Sequence, residues 1–483
     1  MSSSRVVRVR PAEDGVAPQV LRDGIAEIQG ELEVSPEFTP DVEAAAAEAV
    51  ANPRLPDLDR TDLPMVTIDP AGAMDLDQAL YLARTDDGGY VLYYAIADLA
   101  AFVTPGDPVD VEAHQRGQTL YGADSRIPLH PTSISEGGGS LLPDQVRPSL
   151  LWTVTMDGDG DRIDVQVERA RVKSRAQLDY PGVQKLIDDG TADESLMLLK
   201  EVGQLRLKRE QARGGVSLPL PEQEVDTAGF EWELTYRDLL PVEEWNAQMS
   251  LLTGFAAASL MMYARVGFLR TLPPAAPRDV QRLHRTAHAL GIGWPAELLF
   301  PDFIRGHDAA KPQHAAMISA CTRLLRGSGY VAFDGETPAQ PLHSALNTEY
   351  AHVTAPLRRL GDRYASEVCI ALCAGTEVPD WVRAALPDLA RTMQESSQRA
   401  NRYERMVLDL VEAGLLQHRV GESFAAVVVE VNEKDATRGI VTVADPAVEA
   451  PVVSASDIPL GTDVRARLTT ADVEHRKVEF TLE

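Results

Sequence analysis

Thr67-Ile68-Asp69-Pro70-Ala71-Gly72-Ala73-Met74-Asp75-Leu76-Asp77-Gln78-Ala79-Leu80 is the stretch from which the rest of this chain is best read. Three carboxylates fall within nine residues, after a strand-like run at 65–68 and before another at 79–83. Asp75 and Asp77 alternate with Leu76, so an extended segment points both the same way. Asp69 precedes a Pro-Ala-Gly turn that can fold it back toward them. Like charges this close repel, which is costly unless a cation sits among them. Hard oxygen ligands on short side chains suit Mg²⁺, with Mn²⁺ as the alternative. The plainer reading of a lone D-x-D is a polar turn with solvated aspartates.

Working outward, four further stretches accompany it in order. They are Tyr94-Ala95-Ile96-Ala97-Asp98, then Thr119-Leu120-Tyr121 with Ile127-Pro128-Leu129-His130-Pro131, then Ser140-Leu141-Leu142-Pro143-Asp144, and last Thr354-Ala355-Pro356-Leu357-Arg358-Arg359-Leu360-Gly361-Asp362. Together these resemble the RNB catalytic domain of the ribonuclease II and ribonuclease R family, over residues 63–421. The resemblance implies a divalent-metal-dependent exoribonuclease that hydrolyses single-stranded RNA from its 3′ end to nucleoside 5′-monophosphates. Asp69, Asp75 and Asp77 match the first three positions of the family's D-x5-D-x-D-D metal site, with Asp75 and Asp77 at its catalytic centre. The fourth position is Gln78, whose amide oxygen can still ligate Mg²⁺ but carries no charge. Looser ion binding, a preference for Mn²⁺ or slower turnover is therefore expected, and at the extreme a protein that binds RNA without cutting it.

The same resemblance assigns roles along the RNA path. Arg358 matches the arginine that grips the phosphate beside the scissile bond, since a guanidinium binds phosphate oxygens bidentately and stays charged. An ion pair with Glu349 or Asp362 is the structural alternative. Arg359 is a neighbour that touches the backbone or supports the fold. Tyr121 matches the aromatic residue that stacks on the terminal nucleotide, a contact that tolerates every base. Its usual phenylalanine partner is replaced by Leu218. Tyr180 matches a channel-lining tyrosine, with core packing as the alternative, and Glu404 corresponds to a glutamate near the product end, with a surface salt bridge as the alternative. Ala355, Leu360, Ser366-Glu367 and Asn246-Ala247-Gln248 depart from the family pattern, as in a divergent branch.

Composition constrains partners and compartment. The formal net charge of -27 is opposite to that of a generic nucleic-acid binder, so RNA requires basic residues gathered in an internal channel. Candidates are Arg171-Val172-Lys173-Ser174-Arg175, the run 206–213, and Arg358-Arg359 with Arg363; a solvated helix face is the alternative for each. Cys321, Cys369 and Cys373 are too few and too oddly spaced for a disulfide scaffold, which fits a cytoplasmic protein. Cys369 and Cys373 read as buried helix residues. Arg5, Arg8 and Arg10 precede no apolar segment of a secretory signal, and the apolar run 251–264 is too short to span a bilayer. No membrane association is expected, and a monomer acting on RNA is the expected working form.

The pattern predicts an α+β fold in three parts: a leader and linker at 1–62, the catalytic domain at 63–420 with a strand-rich first half and a helical second half, and a small OB-type β-barrel at 421–483. In the leader, Pro40 starts a helix ending near residue 52, and 53–64 reads as a linker. The 62 residues ahead of the catalytic domain are expected to be too few for the paired cold-shock barrels that the resemblance would otherwise imply. Apolar strands are expected at 91–97 and 150–156. Helices follow at 180–187, 196–213, 243–266, 277–290, 313–326, 361–374 and 381–416. Five short strands at 424–431, 438–443, 450–453, 463–468 and 477–482 form the terminal barrel. Phe424 and Phe480 are its only aromatic residues and are expected in its core, which leaves little stacking surface for RNA. Two other readings use the same residues: an inactive RNA-binding member, and a phosphodiesterase acting on a small nucleotide.

Overall fold

The strand-rich region closes on itself. In the computed structural model, which describes residues 7–10, 19–123, 125–218, 222–226, 232–295 and 297–483, five strands form a closed barrel. They are Met65–Asp69, Gln78–Arg84, Tyr90–Ala97, Val146–Met156 and Arg162–Asp179. The first four neighbour contacts are antiparallel, and Met65–Asp69 closes the barrel by pairing parallel with the last strand, Asp69 opposite Asp179. The β-branched and aromatic content of Tyr90–Ala97 suits this central position. Alternation sorts the side chains into two clusters. Leu80, Tyr94 and Trp152 are register partners on the face that the helices cover. Ala79, Ala95 and Leu151 lie on the other face with Met65, Leu76 and Ala170, in a cluster of barrel and loop residues only.

Helices pack on the first face. Pro241–Ala264 lays Met249, Leu252, Ala256 and Ala257 into a core shared with Val368 and Cys369 of the helix Leu360–Ala374. Cys369 is buried and all three cysteines are free. The helix Asp380–Leu416 has 37 residues and is roughly 55 Å long at ~1.5 Å per residue. Its first half packs Leu386, Leu389 and Met393 into the helical core, and its second half packs Tyr403, Val407 and Leu410 into a second cluster that includes the core of the terminal barrel. That barrel is closed and five-stranded: Ser423–Asn432, Asp435–Val443, Val448–Val453, Asp463–Asp472 and Lys477–Leu482. Phe424 and Phe480 meet edge to face in its core, with ring centroids 5.8 Å apart.

The expected α+β architecture is present, with two corrections. The helix at 243–266 stops at Ala264, because Arg265 takes a left-handed conformation and Val266–Thr271 becomes a strand paired with Gly329–Asp334. Residues 53–64 are not a free linker. Arg60 N–H donates to Arg171 O and Arg171 N–H to Leu58 O, both at 2.8 Å, so the segment lies along a barrel strand. In the leader, the helix Pro40–Ala51 is accompanied by an unexpected one, Gln19–Glu31, whose Leu21 and Ile25 pack on the long helix. The rest of the expected leader, at residues 1–6 and 11–18, lies outside the described residues.

Candidate active site

The five sequence motifs converge on the loop that carries the aspartates. Ala73 N–H closes the Pro-Ala-Gly turn on Pro70 O at 3.1 Å, and Gly72, at φ 79°, has the conformation that favours glycine there. Ser140 then clamps the loop: its Oγ accepts from Leu76 N–H at 3.0 Å and donates to Met74 O at 2.6 Å, while Leu141 N–H donates to Leu76 O. Ala97 N–H donates to Asp77 O at 2.9 Å, which ties in the Tyr94–Asp98 motif. Thr119 N–H donates to Arg358 O, and Thr119 Oγ1 accepts from Leu129 N–H, so the remaining two motifs hold each other.

Asp77 is the junction. Its side chain is only 5% exposed; Oδ1 accepts from Leu357 N–H at 2.8 Å and Oδ2 lies 3.4 Å from Arg358 Nε. The Arg358 side chain itself is 43% exposed, so its outer nitrogens face open space while its inner edge touches Asp77. Burial pushes the Asp77 carboxyl up to about 8, with Arg358 opposing and Asp75 adding to the rise. Burial pushes Asp69 up to about 7 in the same way, and its Oδ2 is a buried oxygen with no hydrogen-bond partner. Asp75 is held differently: Oδ1 accepts from Arg126 Nη1 at 2.7 Å, and Oδ2 is 3.5 Å from the Tyr121 hydroxyl.

The remaining candidates divide into two groups. Tyr121 is at the site, half-buried, and burial pushes its phenol up to about 12. Tyr180 follows Asp179, the register partner of Asp69, and Tyr94 feels both Tyr180 and Asp69. Gln78 opens its strand beside the site, but its amide oxygen accepts from the Tyr94 hydroxyl. Arg359 places both arms of its fork on Asp362 at 2.8 Å, a structural ion pair that also binds Ala355 N–H. Glu404 sits one residue past Tyr403, which abuts Gly122, and burial lifts its carboxyl to about 7; no ion pair joins it to Arg358 among the described residues. Leu218 packs against the separate cluster of Leu283, Phe303 and Met317. The other basic candidates serve the fold. Arg363 is bound to Asp110 at 2.6 Å, Arg171 pairs with Asp59, and Arg206 donates to Gly160 O.

Sequence reasoning missed Arg126, Glu136, Ser140 Oγ and the Leu357 N–H. Only their places inside or beside the motifs could have pointed to them. Among the described residues no three acidic, histidine or cysteine side chains converge at metal-ligating distance, because Asp75 is turned to Arg126. The donor chemistry nonetheless fits a hard divalent cation: Asp69 offers a buried, unpartnered carboxylate oxygen, and Asp69 and Asp77 are both charges that burial penalises.

The profile of the RNB domain matches residues 58–372, and that of the RNase II-type exonuclease C-terminal S1 domain matches 422–483. Exoribonuclease 2 of Vibrio parahaemolyticus is 28% identical over 324 residues, covering 63% of this chain and 48% of the relative. The chain thus spans about half the length of the curated relatives it matches first. Mycoplasma genitalium RNase R, solved in complex with ribose methylated single-stranded RNA, superposes with a TM-score of 0.85 at 19% identity, covering 96% of this chain and 78% of that one. Yeast Ssd1, a pseudonuclease, superposes with a TM-score of 0.70 at 15% identity, covering 89% and 55%.

Proposed function

The chain belongs to the RNB family, and from that premise we propose that it is a divalent-metal-dependent exoribonuclease, shortening single-stranded RNA from the 3′ end and releasing nucleoside 5′-monophosphates. One observation carries this reading. Asp77 of the first motif and Leu357-Arg358 of the last, 280 residues apart in sequence, meet at hydrogen-bonding distance around a half-exposed guanidinium. Ordinary core packing has no use for that arrangement, whereas a phosphate-binding site does.

Asp69, Asp75 and Asp77 would hold Mg²⁺ or Mn²⁺; Gln78 is engaged by Tyr94 and is not available as it stands. Such an ion supplies charge stabilisation at the phosphodiester and an activated water. The protein's own groups do the positioning. Arg358 offers its outer nitrogens to the non-bridging oxygens while Asp77 and the Leu357 backbone fix its base. Tyr121 presents a ring for the terminal base, and Tyr180 follows Asp179, the register partner of Asp69. Choice of RNA over DNA would rest on the ribose 2′-hydroxyl. No described helix is long and apolar enough to cross a membrane. The sparse free cysteines support a reducing, cytoplasmic setting.

Incubation of 5′-labelled single-stranded RNA with Mg²⁺ or Mn²⁺, with and without EDTA, tests the reading. A metal-dependent ladder of shortened products is expected; intact RNA under every metal ends the hydrolytic proposal. Asp77→Asn should reduce turnover to background while leaving RNA binding within a few-fold of wild type, because Leu357 N–H can still be accepted by the amide oxygen. A second reading, an RNA-binding member that does not cut, is favoured by the Tyr94–Gln78 contact and the diverted Asp75. Gln78→Asp separates the two: a large gain in cleavage means that charge at this position limits an otherwise competent site.

A further inference from the structure

Arg126 and Glu136 lie outside the motifs that define the site, yet both touch it. Tyr121 and Arg126 are register partners in the hairpin of Leu120–Tyr121 and Arg126–Ile127, so the turn that delivers the tyrosine also delivers a guanidinium. Arg126 Nη1 donates to Asp75 Oδ1 at 2.7 Å, and Nη2 lies 2.5 Å from Glu136 Oε1. Glu136 is presented by the π-helical turn Ser133–Gly138, a rare geometry that is frequent at functional sites. One planar fork therefore clamps two carboxylates from two different elements, and one of these belongs to the aspartate trio.

The consequence is visible in the trio itself. Asp77 faces Arg358, Asp69 keeps an unpartnered buried oxygen, and Asp75 faces Arg126 instead of its two neighbours. We infer that Arg126 is a resident counter-ion of the aspartate trio, competing with a divalent cation for Asp75, and that Glu136 is the partner that retains its guanidinium when Asp75 is released. This rests on the reading of the trio as the metal site. Binding an ion on all three aspartates requires the 2.7 Å contact to break, and the affinity falls by the fraction of molecules in which it is intact. With Glu136 in place the arginine keeps one carboxylate partner after release, so the exchange does not strand a charge in a partly buried site.

Titration of the full-length protein with Mn²⁺ in the absence of RNA, followed by calorimetry or by the spin-resonance signal of free Mn²⁺, tests this without reference to turnover. Arg126→Gln/Glu136→Gln removes one charge of each sign, so the formal charge around the site is unchanged. The double variant is expected to bind Mn²⁺ roughly tenfold more tightly than wild type, the scale of one charged hydrogen bond no longer opposing the ion. Arg126→Lys, which keeps the charge but replaces the two-nitrogen fork that reaches Asp75 and Glu136 separately with a shorter point charge, is expected to tighten binding several-fold. Unchanged binding in both, with tightening only in Arg126→Gln, would reduce Arg126 to a distant charge and overturn the inference. Weaker binding in the double variant would make Arg126 a support of the metal site and overturn it equally. Absence of Mn²⁺ binding in every protein, wild type included, would remove the metal site itself and the inference with it.

Discussion

At the scale of single residues, Arg358 carries the most demanding set of contacts: it neutralises a buried aspartate on one edge and is open on the other. A lysine there keeps the charge but replaces a planar fork with a point charge on a flexible stem. Arg358→Lys should lower kcat/KM by roughly 10²-fold, the usual loss when one preorganised donor to a developing charge is removed. Single-turnover cleavage of a short RNA measures it, and a lysine variant at the wild-type rate would show that Arg358 never contacts the scissile phosphate. Asp69, Asp75 and Asp77 stood out because three short acidic side chains in nine residues have few uses, and the structure sets Asp77 beside Arg358 while turning Asp75 to Arg126. The pairing of Arg358 with Asp77 was not legible, since sequence offered only the nearer acids Glu349 and Asp362, and Asp362 in fact belongs to Arg359. Arg126 and Glu136 were illegible for a related reason: a lone arginine and a lone glutamate ten residues apart carry no period or spacing, and only the hairpin and the π-turn bring them together.

At the scale of elements, the helix Pro241–Ala264 sets the position of the segment that bears Arg358. Ala351 N–H donates to Gly254 O at 3.2 Å, and Ser250 Oγ lies 2.8 Å from Thr354 Oγ1. The approach is so close that a methyl group on Gly254 would stand 2.2 Å from Tyr350 Cε2 and 2.6 Å from Ala351 O. Gly254→Ala should therefore cost about 1–3 kcal/mol by overpacking, even though alanine is the better helix former. Chemical denaturation should show the loss, and RNA shortening should fall with it, since relief of the clash moves residues 350–358; equal stability would mean that the segment is not seated on the helix as described. Helix periodicity and strand alternation made most elements legible, including all five strands of the terminal barrel. The Gln19–Glu31 helix escaped notice because its apolar face is only Leu21, Ile25 and Ile28, and tertiary packing on the long helix stabilises it. The strand Val266–Thr271 escaped because its apolar run continues that of the preceding helix, and periodicity alone cannot place the break.

At the scale of the whole molecule, the net charge of -27 leaves stability at low pH dependent on groups that resist protonation inside the fold. His130 and His343 are each only 1% exposed, and burial, as the largest influence on both, pushes their imidazoles down to about 3. His130 lies by Pro356 of the Arg358 segment, with Arg363 also disfavouring its charge; His343 lies by Tyr350, with Arg270 acting likewise. The sign follows from proton counting. Below the ordinary histidine value of ~6.5 the unfolded chain binds protons that the folded chain refuses, so stability rises with pH in that window and is lost as pH falls from 6.5 toward 3. At pH 5 each such histidine costs about 2 kcal/mol, independently of the carboxylates. Asp69, Asp77 and Glu404, whose carboxyls burial pushes up to about 7 or 8, act in the opposite sense over the same window, so the histidine contribution is read from the difference between wild type and a histidine variant in thermal unfolding at pH 7 and pH 5. His130→Asn, which cannot take up a proton, should gain about 2 kcal/mol relative to wild type on going from pH 7 to pH 5, even if it lowers the midpoint at pH 7. A slope identical to wild type would mean that His130 reaches solvent in the folded protein and titrates normally. In that case the packing that brings the third and last motifs together around Thr119 and Arg358 is looser than the hydrogen bonds between them imply.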